Sequence, residues 1–128
     1  LRAHSCAARR RMSYHGCFLG ETGSGKTYKA RQLAASFRRG RVPVLAFVPP
    51  GHAWTEATWQ TYDPDAFLTK VNASRQCAVF IEFSDAEVGK FDVGFTRLFT
   101  WSRNFGHRCF MIAQRHTQAN PTIRDQCR

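Results

Sequence analysis

Hydrophobic positions along this chain fall into two rhythms. Short continuous apolar runs of strand length occur at Tyr14–Leu19 (YHGCFL), Val42–Val48 (VPVLAFV), Cys77–Phe83 (CAVFIEF) and Arg108–Ala113 (RCFMIA). Helical spacing lies between them. Ala30, Leu33, Ala34 and Phe37 recur at i, i+3, i+4 and i+7, which predicts a helix over Lys26–Arg39 with its basic residues facing outward. Gly40 is the expected stop. Asp63-Pro64 reads as an N-cap followed by proline at the first helical position, opening a helix to about Ala73. Asp92 is the expected cap of a helix to about Asn104, with Phe91, Phe95, Leu98 and Phe99 inward, and Asn120-Pro121 opens a last short helix. Pro49-Pro50-Gly51 ends the second run, and 52–62 carries no clear period.

Strands alternating with helices give an α/β fold. Strands that are apolar throughout, rather than on alternate positions, imply a mostly parallel sheet covered on both faces. The expected architecture is three layers, with the chain ending before a further strand follows the fourth run. Residues 1–13 read as a flexible basic extension and 14–128 as one domain, C-terminally incomplete.

Composition narrows the function classes. The chain has 128 residues, 43% hydrophobic with eleven Phe, enough for one well-filled core. No apolar run approaches the roughly 18 residues of a membrane span, and the basic N-terminus lacks the apolar stretch of a signal peptide. The five cysteines show no CxxC or zinc spacing, which fits a reducing compartment. Of the net charge of +10, residues 1–43 hold +9. That excess points to a polyanion, nucleic acid or a phosphate-rich ligand, or else to a solvated basic face.

The chemistry is concentrated in one loop. Gly20-Glu21-Thr22-Gly23-Ser24-Gly25-Lys26-Thr27 fits GxxxxGK[ST] between an expected strand and an expected helix. Glycines let successive N–H groups turn around phosphate oxygens, and the helix start adds its positive dipole end. Lys26 is placed for the β/γ-phosphates and the Thr27 hydroxyl for Mg²⁺. The predicted ligands are therefore ATP and Mg²⁺. A second acid is needed at the end of a neighbouring strand, and Glu82 closes VFIE. Hydrolysis needs a group to orient water, for which Asp85 or Glu87 stands next in the loop, or none does. Gln114 ends the fourth run, where it is expected between the loop and the acid-bearing strand as a γ-phosphate sensor. Arg103, His107, Arg108, Arg115 and His116 are expected at that same end, one of them a candidate arginine finger to a neighbouring subunit.

The order strand–GETGSGKT–helix, VPVLAFV, AVFIEF, WSRNFGHR, CFMIAQ and PTIRDQCR resembles the P-loop NTPases of the FtsK/HerA type. Within them it is similar to phage DNA-packaging and Zot-like assembly ATPases. That resemblance, over about 14–128, implies a RecA/ASCE-like ATPase. It also implies a homo-oligomeric ring that moves DNA, working in the host cytoplasm or virion. Glu82-Phe83 stands where the family carries Asp-Glu. A small-molecule or nucleotide kinase and a non-hydrolysing nucleotide switch are the other readings. GTP is disfavoured because no NKxD segment follows the fourth run.

Overall fold

The computed structural model describes residues 15–19, 25–49, 51–82, 97–98 and 100–113, with 17, 19, 102, 103 and 113 described in backbone only. The four expected runs all form strands: β1 (Gly16–Leu19), β2 (Val44–Phe47), β4 (Ala78–Glu82) and β5 (Arg108–Ala113). A further strand, β3 (Trp59–Thr61), arises inside the segment that carries no period. It is three residues long and half-buried on one edge, too short for an alternation to register. The sheet order is β1-β5-β4-β2-β3 and every pairing is parallel. The region after Ala113, where a further strand is expected to be absent, lies outside the described residues.

Two helices cover the sheet. On one face α1 (Lys26–Arg39) lays Ala30 and Ala34 against Val44, Ala46, Ala78, Phe80, Phe110 and Ile112. On the other, α2 (Pro64–Ala73) lays Phe67 and Val71 against Leu45, Phe47, Val79, Ile81, Cys109 and Met111, with Leu98 beside them. Successive strand residues thus serve opposite layers, as the pleat requires. This explains runs with no polar position, and each large side chain so buried contributes about 1.5–3 kcal/mol. The core stacks Phe80 on Phe110 with ring centres 4.9 Å apart.

The helix ends follow local chemistry. Asp63 caps α2, its side chain accepting from Asp65 N–H at 3.1 Å, with Pro64 first in the helix. The stop of α1 differs from expectation. Gly40 has an ordinary φ of −81°, and the left-handed residue is Arg41 at 62°. Arg41 N–H donates to Arg38 C=O and Val42 N–H to Phe37 C=O, a Schellman closure with arginine where glycine is usual. Phe37 and Val42 both pack on the core there, which holds the turn in place.

Between β2 and β3 the chain crosses back over the α1 layer. Trp54 is buried against Phe80, and Gln60 ties it by accepting from its N–H and donating to its C=O. Arg31 Nε bonds Glu56 at 2.9 Å, and Arg38 donates to the Glu56 carbonyl at 3.0 Å. Burial alone raises the Glu56 carboxyl, but the Arg31 bond and charge outweigh it and hold the group below its ordinary 4.5.

Candidate functional site

Parallel pairing fixes which residues meet. All five strands end at one edge, the carboxyl edge, where open α/β sheets bind ligands. β1 ends there, and so does β4 with Glu82. The strand between them is β5.

Gly25 takes φ 81°, ψ 9°, a left-handed geometry natural to glycine, and its carbonyl accepts from Lys29 N–H at 3.0 Å. No side chain caps the helix at Gly25, and the first turn holds no acid. The first N–H groups of any helix lack intrahelical acceptors, so this start suits an anion. Lys26 and Thr27 are half-buried in that turn. Gly20, Glu21, Thr22, Gly23 and Ser24 lie outside the described residues.

Glu82 is the last residue of β4. Its register alternates with Ala78 and Phe80, so it belongs to the α1 side of the sheet. The side chain is only 12% exposed, and Oε1 lies 3.5 Å from Nδ1 of His52. Its other oxygen, Oε2, is buried with no hydrogen-bond partner among the described residues. Trp54 Nε1 shares that condition, but a neutral N–H is cheaper to strand than a carboxylate oxygen.

His52 is the functional candidate that sequence reasoning passed over. A polar residue in the turn that follows a parallel strand lies at the carboxyl edge, and His52 stands in the turn after β2. That signal was available from the strand order alone.

Other expected site residues fall elsewhere. Asp85, Glu87, Gln114, Arg115 and His116 lie outside the described residues. The expectation that Arg103, His107 and Arg108 share the carboxyl edge is corrected. Arg103 and His107 precede β5 and Arg108 opens it, so they lie at the amino edge, about 16 Å away along a six-residue strand. His107 is fully buried and structural. Its Nδ1 accepts from Cys77 N–H at 3.1 Å and its Nε2 donates to Val71 C=O at 2.9 Å. Burial pushes this imidazole below its ordinary 6.5, despite those bonds. His15, also buried, accepts from Cys109 N–H at 2.9 Å. Arg108 lies over Phe37 and Phe110, and Arg75 lies 4.2 Å from the centre of the Phe105 ring. Burial lowers the Arg108 guanidinium.

The donor set at the carboxyl edge fits Mg²⁺ with a nucleotide. It offers one hydroxyl and one carboxylate with a stranded oxygen, hard ligands for a hard cation that takes its remaining ligands from phosphates and water. Among the described residues no three His, Cys, Asp or Glu side chains gather as a self-sufficient metal cage.

The fold has a solved counterpart. The chain superposes with a TM-score of 0.67 on the genome packaging NTPase B204 from Sulfolobus turreted icosahedral virus 2, solved in complex with AMPPCP. The match covers 91% of this chain and 72% of that one, at 14% identity. The two proteins share one fold, a parallel α/β sheet covered by helices. No protein-family model matches the chain, and no curated protein does. Among the described residues no helix is long and apolar enough to cross a membrane.

Proposed function

We propose that the chain binds Mg²⁺–ATP at the carboxyl edge and hydrolyses it as the motor domain of a packaging or assembly ATPase. DNA is its cargo, and a homo-oligomeric ring is its working form. The observation that carries the nucleotide reading is the buried, unpartnered oxygen of Glu82 at the edge where Gly25-Lys26-Thr27 opens α1. A stranded carboxylate oxygen costs stability, and a bound cation removes that cost. The AMPPCP-bound packaging NTPase of the same fold supports the same reading.

Each residue then has a task. Gly20 to Gly25 wrap N–H groups around the phosphates, Lys26 adds a charge there, and Thr27 and Glu82 hold Mg²⁺ directly or through its water. The cation would neutralise charge developing between the β- and γ-phosphates. Asp85 or Glu87, or neither, orients water, and Gln114, next in sequence after β5, senses the γ-phosphate. Arg103 serves as the arginine finger toward a neighbouring subunit's nucleotide.

A non-hydrolysing switch is favoured by Phe83, which puts an apolar ring where the family carries its second acid. A kinase is less well supported. The 52–72 segment, where an acceptor site would be sought, is spent on Trp54, β3 and α2 in the core.

Binding of a fluorescent ATP analogue, then phosphate release with and without DNA, tests the proposal. Lys26→Ala should lose about 1.5–3 kcal/mol of nucleotide binding with the melting temperature unchanged. Parent-like binding in that variant would remove the nucleotide site. Tight binding without turnover, with or without DNA, would select the switch.

A further inference from the structure

We infer that His52 is a positioning residue for Glu82, fixing which carboxylate oxygen that acid presents to a divalent cation. The inference rests on the nucleotide-site reading and deepens it. His52 reaches the site through a turn. Its N–H donates to Pro49 C=O at 3.0 Å, and Gly51 takes φ 85°, so the chain reverses directly after β2 and hangs the imidazole at the carboxyl edge. The ring itself is 61% exposed, yet Nδ1 sits 3.5 Å from Oε1 of a carboxylate that is only 12% exposed.

A surface His–Glu pair would be worth little. This pair differs because only one partner is at the surface. The two oxygens of Glu82 have unequal surroundings, one facing His52 and the other buried with no partner among the described residues. A carboxylate so held offers one defined oxygen, since turning about its last bond would exchange the two environments. At 3.5 Å the pair is at ion-pair distance and is not hydrogen-bonded, so the positioning role requires the contact to shorten when the second oxygen is engaged. Donation needs only that Nδ1 carry a proton, in the neutral or the charged ring. Groups that orient a metal ligand in this way typically govern metal affinity by 10- to 100-fold. An exposed imidazole at this distance belongs near the lower end.

The test reads binding, not turnover. Mg²⁺ is titrated into the protein with a fluorescent ATP analogue, for the parent, His52→Ala, His52→Asn and Glu82→Gln. His52→Ala should raise the Mg²⁺ concentration for the half-maximal response about tenfold. Metal-free nucleotide affinity and melting temperature should stay at parent values, because the ring is exposed. His52→Asn puts an amide nitrogen near the position of Nδ1 and should recover most of the loss. Glu82→Gln should lose the Mg²⁺ response. If Glu82→Gln loses it and His52→Ala does not, the positioning role is overturned and the nucleotide site stands. A loss in His52→Ala that Asn leaves unrecovered also overturns it. A parent-like Mg²⁺ response in Glu82→Gln overturns the nucleotide-site reading itself, and this inference with it.

Discussion

At the amino edge of the sheet, buried polar groups are satisfied: His107 bonds through both ring nitrogens, and His15 accepts from the β5 backbone. At the carboxyl edge, about 16 Å away along the strands, a carboxylate oxygen of Glu82 is buried with no partner among the described residues, and α1 begins without a side-chain cap or an acid. Both edges belong to one sheet and carry comparable polar chemistry. The difference is whether the fold uses that chemistry or leaves it open. Satisfied buried groups stabilise, whereas unsatisfied ones persist where something else engages them. That is why the amino-edge histidines read as structure and the carboxyl-edge acid as a site.

The sharpest way to break the comparison is His107→Ala. It strands Cys77 N–H, removes one of the two donors to Val71 C=O, which keeps Ser74 N–H at 3.2 Å, and leaves a cavity where the ring links the starts of β4 and β5 to the end of α2. Together these should cost about 3–4 kcal/mol in urea unfolding, with nucleotide affinity of the folded fraction unchanged. A loss under 1 kcal/mol would show that the amino edge is not held by this ring. The same residue predicts a pH effect. Its folded pKa lies below the ordinary 6.5, so the unfolded chain takes up the proton first as pH falls. Its contribution is full above pH 6.5 and is lost as pH drops through the window below it. His107→Phe should remove that component of the pH profile.

Glu82→Gln tests the other edge, with a smaller effect of opposite sign. Replacing a stranded carboxylate by a neutral isostere should stabilise the nucleotide-free protein by about 1 kcal/mol while abolishing its response to Mg²⁺. Destabilisation by a similar amount would mean that the fold uses Glu82 as it uses His107, and the contrast would collapse.

The sequence disclosed one edge better than the other. Four strands, α1 and α2 were legible because a buried parallel sheet writes continuous apolar runs and a covering helix writes a 3.6-residue period. Asp63 was legible because capping is local. The strand β3 was not, since three residues, two of them half-buried around an exposed Gln60, are too few to write a period. Nor was the left-handed Arg41, because the packing of Phe37 and Val42, not local preference, holds it. Gly25, Lys26 and Thr27 were read correctly as the start of α1. Arg103, His107 and Arg108 were placed at the wrong edge, since a residue preceding a parallel strand lies opposite one that follows it. His52 was missed for the same reason, its edge being set by strand direction and its partner only by three-dimensional contact.

The smallest expected effect concerns the basic excess at the amino edge. Helix α1 runs from the carboxyl edge to the amino edge, so Arg38, Arg39 and Arg41 lie roughly 18 Å from Lys26. Arg41 leads through Val42 to Pro43, whose carbonyl accepts from Ala78 N–H beside Cys77, and Cys77 C=O accepts from Arg108 N–H. Arg75 and Arg108 therefore belong to the same edge. Arg31 does not join them freely, being paired with Glu56. If this edge meets DNA, affinity should fall steeply with salt, since each neutralised phosphate releases counterion with a slope near −0.9 on a log–log plot. Replacing Arg38, Arg39 and Arg41 by Gln should flatten that slope by up to about three units and leave sequence preference and ATP binding unchanged. Arg31→Gln alone should leave the slope near the parent value, because its charge is already committed to Glu56. Parallel slopes for parent and triple variant would take this edge out of the DNA path, leaving the amino edge a purely structural counterpart to the nucleotide edge.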